Sequence, residues 1–335
     1  MKTVFINAKG NIGDGLIVRD VADPPPPAEG EAIVRVRKRV VRAVDYQAAR
    51  GLLPLNTFAQ NGIPGIDGVG VVEAVGAKVD PSTGISPGAR VIIMRMNGSW
   101  AERVAVPATS LMPTPAEIPD EIACQTVNNG TTALMLFRTA EQSVGYTPGA
   151  APLLVSAANS SVARTLIGLA TISGRPVIGL ARRESDAMAL ESLFKDVRII
   201  ATDRPDWPAA VRSSSGVAPH VAIDPIGGEM VPVLLDLLAH GGTLVVYGGL
   251  DPRPSQISSV RMTSNELTIR GTSSFGWAVR TSPSERLANF QVILEVARRM
   301  PKVFDGYREF PLTEAAEAVA FAQAGPRHGA TIVTS

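Results

Sequence analysis

Residues 153–170 read LLVSAANSSVARTLIGLA, and this stretch decides the fold. Three large apolar residues lead into a run of small ones, and apolar residues then recur three and four positions apart. The pattern is a buried strand, a tight turn and an amphipathic helix. Working outward, further apolar runs at 177–180, 198–200, 221–224, 243–247 and 267–269 alternate with helical text. Such alternation requires a doubly wound parallel sheet, here expected over residues 124–270.

Upstream the text changes. EAIVRVRKRVVRA from Glu31, GVGVVEAVG from Gly68 and ARVIIM from Ala89 are short β-branched runs broken by Gly and Pro. They predict a small all-β domain over 1–123. The four prolines at 24–27 read as a stiff surface loop before its first core strand. Downstream, RLANFQVILEVARRM is helical and 331–333 form a last short strand. A lone helix and strand bury no core, so 271–335 are expected to return to the β domain. At 335 residues, two domains are the natural division.

Composition excludes several functions. Lys and Arg total 32 against 31 Asp and Glu, with three scattered His. This balance supplies no basic face for nucleic acid. No apolar run reaches the ~18 residues of a membrane helix, and MKTVFINAKG lacks the apolar centre of a secretory signal. A cytoplasmic protein is expected. Cys124 is the only cysteine and has no partner for an internal disulfide, in keeping with a reducing compartment.

The turn after the 153–156 strand offers a pyrophosphate the free N–H groups and positive dipole of a helix start. Asn159, Ser160, Ser161 and Ala163 stand where glycine is common, so the motif alone fits equally an ordinary turn capped by Ser160 or Ser161. The second strand says more. Its carboxyl end faces the adenine ribose in such folds, and here it runs into GLARRES. Arg182 and Arg183 suit a 2′-phosphate, which favours NADP(H); the alternative is two solvated arginines opening the next helix. In GGTLVVYGG, Gly248 and Gly249 let backbone approach a nicotinamide. Gly227 and Gly228 read as turn formers.

Together these segments resemble the medium-chain dehydrogenase/reductase superfamily across nearly the whole chain, from PGIDGVGVVEAVG at 64–76 through PGARV at 87–91 to FPLTEAAEA near the end. The nearest likeness is to the zinc-free quinone reductase and mitochondrial-type 2-enoyl thioester reductase branch, through GSW at 98–100, VNNGTTALML at 127–136, AANSSV at 157–162 and VVYGGL at 245–250. The resemblance implies a GroES-like β domain plus a Rossmann domain, paired as a homodimer and using NADPH. It implies nicotinamide contacts from Asn128 and Thr131 or Thr132, and pyrophosphate contacts from Asn159, Ser160, Ser161 and Val162. It further implies the 2′-phosphate role of Arg182 and Arg183, and cofactor contacts from Tyr247, Gly248, Gly249 and Leu250.

The sequence departs from that branch at three points. The enoyl reductases' tyrosine falls on Leu53, their aromatic pair after Gly271 becomes Thr272 and Ser273, and a lysine near the C-terminus becomes Ala330. Zinc-dependent relatives place Cys near Arg42, His near Ile66 and Cys near Asn128; no metal is therefore expected. Hydride transfer to an electron-poor enone, enoyl thioester or quinone is the expected chemistry. Tyr46 is the candidate proton donor, with a structural role in the β domain as the alternative. A catalytically weak NADPH-binding sensor on the same fold is the competing reading of the whole chain.

Overall fold

The computed structural model describes residues 1–6, 15–45, 62–94, 98–143, 151–324 and 329–335. It divides into two compact units, Met1–Asn128 with Phe304–Ser335, and Asn129–Val303.

The first unit is β-rich and GroES-like. Its main sheet runs β14(Arg308–Pro311), β15(Thr331–Thr334), β3(Glu31–Val40), β4(Gly68–Val75), β5(Arg90–Ile93), β7(Leu111–Pro113), with β6(Arg103–Pro107) also paired to β3. β1(Lys2–Ile6) and β2(Leu16–Asp20) form a separate ribbon. Alternation along β3 and its neighbours buries Val34, Val36, Val72, Val91, Ile93 and Val104 in one cluster. Each such aliphatic side chain contributes about 1.5–3 kcal/mol on burial. A bulge between Val36 and Lys38 shifts the register with β4 and so resets which side chains face inward. Helix α1(Asp120–Thr126) closes this part, and α10(Ala315–Gln323) packs Ala315, Ala318 and Val319 against Val333, Val41 and Trp100.

The second unit is a Rossmann-type doubly wound domain. Its six parallel strands lie in the order β10(Arg198–Ala201), β9(Val177–Ala181), β8(Leu153–Val155), β11(Val221–Asp224), β12(Thr243–Val246), β13(Thr268–Gly271). The helices are α2(Asn128–Ser143), which starts at the boundary, then α3(Ser161–Ile172), α4(Glu184–Leu193), α5(Trp207–Ser214), α6(Met230–Leu237), α7(Ser259–Ser264), α8(Ser274–Arg280) and α9(Pro283–Arg299). Strand order reverses between β8 and β11, and ligands of such sheets bind outside the carboxyl ends at that switch point.

The six strand readings hold to within two residues at each end. The unit nevertheless extends past the expected boundary at 270 to Val303, carrying α8 and α9 with it. Small residues explain this. A Cβ on Gly130 would lie 2.4 Å from Ile293 and one on Gly168 3.0 Å from Val296, so α9 seats directly on glycine positions of α2 and α3. Ser282 and Glu285 start α9 with a reciprocal capping box.

Candidate functional site

At the carboxyl edge of the parallel sheet, β8 ends where the Ser156 hydroxyl donates to the Asp224 carboxylate at the end of β11. Asp224 also accepts from the Gly227 amide at 2.7 Å. Ala157 follows at φ 48°, a left-handed conformation that side-chain-bearing residues avoid. The Ala158 amide then donates to Leu180 O of β9 at 2.8 Å, tying the turn to the strand that delivers the two arginines.

Ser160 is the helix cap. Its backbone is extended and its hydroxyl accepts from the Ala163 amide at 3.2 Å. The first intrahelical bond runs from Arg164 N to Ser160 O, which leaves the amides of Ser161 and Val162 without an intrahelical acceptor. Asn159, Ser160, Ser161 and Val162 are all partly exposed rather than buried. The Ser160 cap thus leaves two helix-start amides that could still hold an anion.

Tyr247 follows β12, with its amide bonded to Asp224 O at 3.0 Å. Its hydroxyl bonds Ser160, and burial pushes the phenol up from its ordinary range. Gly248 is obligatory here, since a Cβ would stand 2.9 Å from Pro225 O, whereas a Cβ on Gly249 would meet nothing within 4 Å. The Gly249 backbone is thus open to a ligand, and Leu250 beside it is 61% exposed. Gly227 and Gly228 both have positive φ and form the turn against Asp251.

Arg182 and Arg183 follow β9 directly. Arg182 is exposed. Arg183 is the N-cap residue of α4, and its Nε donates to Asp186 Oδ2 at 3.2 Å. That carboxylate escaped the sequence reading, although the spacing of three on a helix start was there to be seen. Thr131 and Thr132 lie on the first turn of α2, Thr132 buried and Thr131 partly so.

The β-rich unit holds a second cluster. Arg42 pairs with Asp67 through both guanidinium edges, Nε to Oδ1 at 3.2 Å and Nη2 to Oδ2, with side chains 4% and 2% exposed. Arg42 Nη2 also reaches Cys124 O at 3.4 Å, and Asp67 Oδ2 accepts the Asn128 amide at 3.3 Å. Burial raises the Asp67 carboxyl, and the adjacent Arg42 opposes that rise. Asp45 accepts from Arg42 N at 2.9 Å and Gly65 N at 3.2 Å. Burial moves Asp45 up to about 7, with Asp67 adding to the rise and Arg42 working against it.

Gly65 sits at φ 99°, and a Cβ there would be 2.2 Å from Ser99 Oγ and 2.3 Å from Trp100 Cδ1, so only glycine fits. Ser99 in turn donates to Asp67 O at 2.7 Å, so the GSW segment supports the ion pair from behind. Arg42 and Asn128, near which the resemblance would place the cysteines of zinc-dependent relatives, are both bonded to Asp67. Among the described residues no group of three or more His, Cys, Asp or Glu is arranged to hold a metal ion. Tyr46, Leu53 and His328 lie outside the described residues.

The carboxyl edge fits a phosphorylated dinucleotide: two helix-start amides, a glycine with open space beside it, and a cationic side chain on the strand to which the turn is tied. Residues 162–289 match the family described as zinc-binding dehydrogenase, and residues 28–116 match the alcohol dehydrogenase GroES-like domain. The mitochondrial enoyl-[acyl-carrier-protein] reductase of Dictyostelium discoideum is 26% identical over 276 residues, covering 80% of this chain and 76% of that protein. A putative NADPH:quinone reductase from Bacillus thuringiensis superposes with a TM-score of 0.85 at 24% identity, covering 100% of this chain and 98% of the other. The Escherichia coli quinone oxidoreductase complexed with NADPH gives 0.82 at 20% identity, covering 100% of both chains. Among the described residues no helix is long and apolar enough to cross a membrane.

Proposed function

Because the chain belongs to the medium-chain dehydrogenase/reductase superfamily, we propose that it is an NADPH-dependent, zinc-independent reductase of an activated C=C bond or a quinone. The observation that carries this is the arrangement at the carboxyl edge, where the capped start of α3 is bonded through Ala158 to β9, the strand ending in Arg182 and Arg183. Enoyl reductases and NADPH-linked quinone reductases among its relatives support the substrate class.

When bound, NADPH supplies a hydride from its nicotinamide C4. The chain's own part is to hold and to protonate. Ser161 and Val162 amides meet the pyrophosphate, and the arginines after β9 meet the 2′-phosphate. Asn128, Thr131, Thr132, Asn159, Tyr247, Gly248, Gly249 and Leu250 complete the cofactor contacts in this reading. Tyr46, next to Asp45, gives the proton that neutralises the reduced substrate's oxygen or carbon.

Zinc independence is supported by Arg42, a fixed cation paired to Asp67 where zinc-dependent relatives keep a thiolate. The reading includes a cytoplasmic homodimer, for which β13 supplies the sheet's last strand, with Val260 and Val279 exposed in the helices before and after it. Light scattering on the purified protein tests that state. The activity is tested by NADPH oxidation against a panel of quinones, enones and enoyl thioesters. Turnover with any of them, undiminished by a chelator, is expected. NADPH binding with no consumption across the panel would return the chain to the sensor reading.

A further inference from the structure

Three guanidinium groups stand at the carboxyl ends of β9 and β10, and they are not equivalent. Arg183 is held at Nε by Asp186, whose side chain is 5% exposed against 41% for the arginine. Arg204 is paired with Asp206 at 3.3 Å, and Glu184 acts on it as a second negative neighbour. Arg182 is exposed, and among the described residues no carboxylate lies within ion-pair distance of it. A dianionic phosphate arriving here meets two neutralised pairs and a single uncompensated cation.

From this asymmetry we infer that Arg182 alone carries the preference for a 2′-phosphate, and that Asp186 limits the preference by cancelling Arg183. The inference rests on the NADPH reading above and refines it, because that reading treats the two arginines as a matched fork. The physical reason is Coulombic. Phosphate gains from Arg183 only what remains after a buried carboxylate 3.2 Å from Nε has been subtracted, and that carboxylate cannot swing away into solvent. Arg183 instead fixes the first turn of α4, where it stands as the N-cap residue with extended backbone. Asp186 is therefore a specificity-determining residue that need not touch the cofactor.

The test is equilibrium binding of NADPH and NADH to the purified protein, read by nicotinamide fluorescence, for wild type, Arg182→Ala, Asp186→Asn and the double variant Arg183→Gln/Asp186→Asn. Arg182→Ala should weaken NADPH by about tenfold or more and leave NADH nearly unchanged, the worth of one charge-assisted contact. The double variant removes the pair with no change in net charge and should shift both cofactors by the same factor. Asp186→Asn should tighten NADPH about threefold with NADH unaltered, because one nearby negative charge is removed. Should the double variant destabilise α4, Asp186→Asn still decides, since it keeps an acceptor for Nε. A selective NADPH loss in the double variant equal to that of Arg182→Ala, or no change in the cofactor ratio of Asp186→Asn, overturns the inference while leaving the NADPH reading intact. A wild type that binds the two dinucleotides equally well ends both.

Discussion

Arg42 and Asp67, 25 positions apart, form an ion pair bonded at both guanidinium edges and sealed from solvent. Through Asp67 the pair also holds the Asn128 amide, and through Arg42 the Cys124 carbonyl. Three chain segments thus converge on two opposite charges.

Removing one partner is expected to be costly. Arg42→Met or Asp67→Asn leaves a buried charge or a broken network, and such losses run to about 3–5 kcal/mol. Replacing both by apolar residues of matching volume should recover much of that stability. Denaturant unfolding of the two single variants and the double variant measures this, and additive single losses would show that the pair is not coupled.

Asp45 makes stability depend on pH. Its carboxyl is raised from 3.8 to about 7, chiefly by burial, so the folded protein binds this proton more tightly than the unfolded chain. The group's contribution is complete below 3.8 and is lost as pH climbs to about 7. Between pH 5 and 8 the wild type should lose more stability than Asp45→Asn does. Equal slopes for the two proteins would assign the titration elsewhere.

Tyr46→Phe should lower turnover with the preferred electrophile and leave the NADPH dissociation constant unchanged, since only a proton donor is removed. Stopped-flow measurement of NADPH oxidation with parallel binding data separates the two. An unaltered rate would make the tyrosine structural.

Ser160→Ala removes a helix cap and the partner of the Tyr247 hydroxyl together. The cap alone is worth about 1 kcal/mol of stability. NADPH affinity should fall as well, and Tyr247→Phe in the same background should add little, because both act through one bond. Thermal unfolding and calorimetric titration check this; a full second loss from Tyr247→Phe would show that the tyrosine works independently.

Much of the sheet was legible because its central strands are short, wholly buried and bounded by polar text, as at Val177–Ala181 and Val221–Asp224. The site was legible less evenly. Nothing local says whether Ser160 or Ser161 caps α3; only the chain's path through Ala157 selects Ser160. Asp67 hides in an apolar stretch, and its meaning depends on Arg42 reaching it across the fold. The helix at RLANFQVILEVARRM was legible, but not its seat on Gly130 and Gly168 of the parallel-sheet unit, because seating is a matter of shape, which hydrophobic period does not record. The Arg183 pairing was within reach, since Asp186 is only three residues on.

Ala157 has one more consequence. A methyl-bearing residue in the left-handed region costs roughly 1–2 kcal/mol relative to glycine, and the bonds at Ser156 and Ala158 hold it there. The same methyl restricts the turn's alternatives in the free protein. A glycine loop must be frozen by its ligand, whereas this one is already set, so less motional freedom is surrendered at the moment of association.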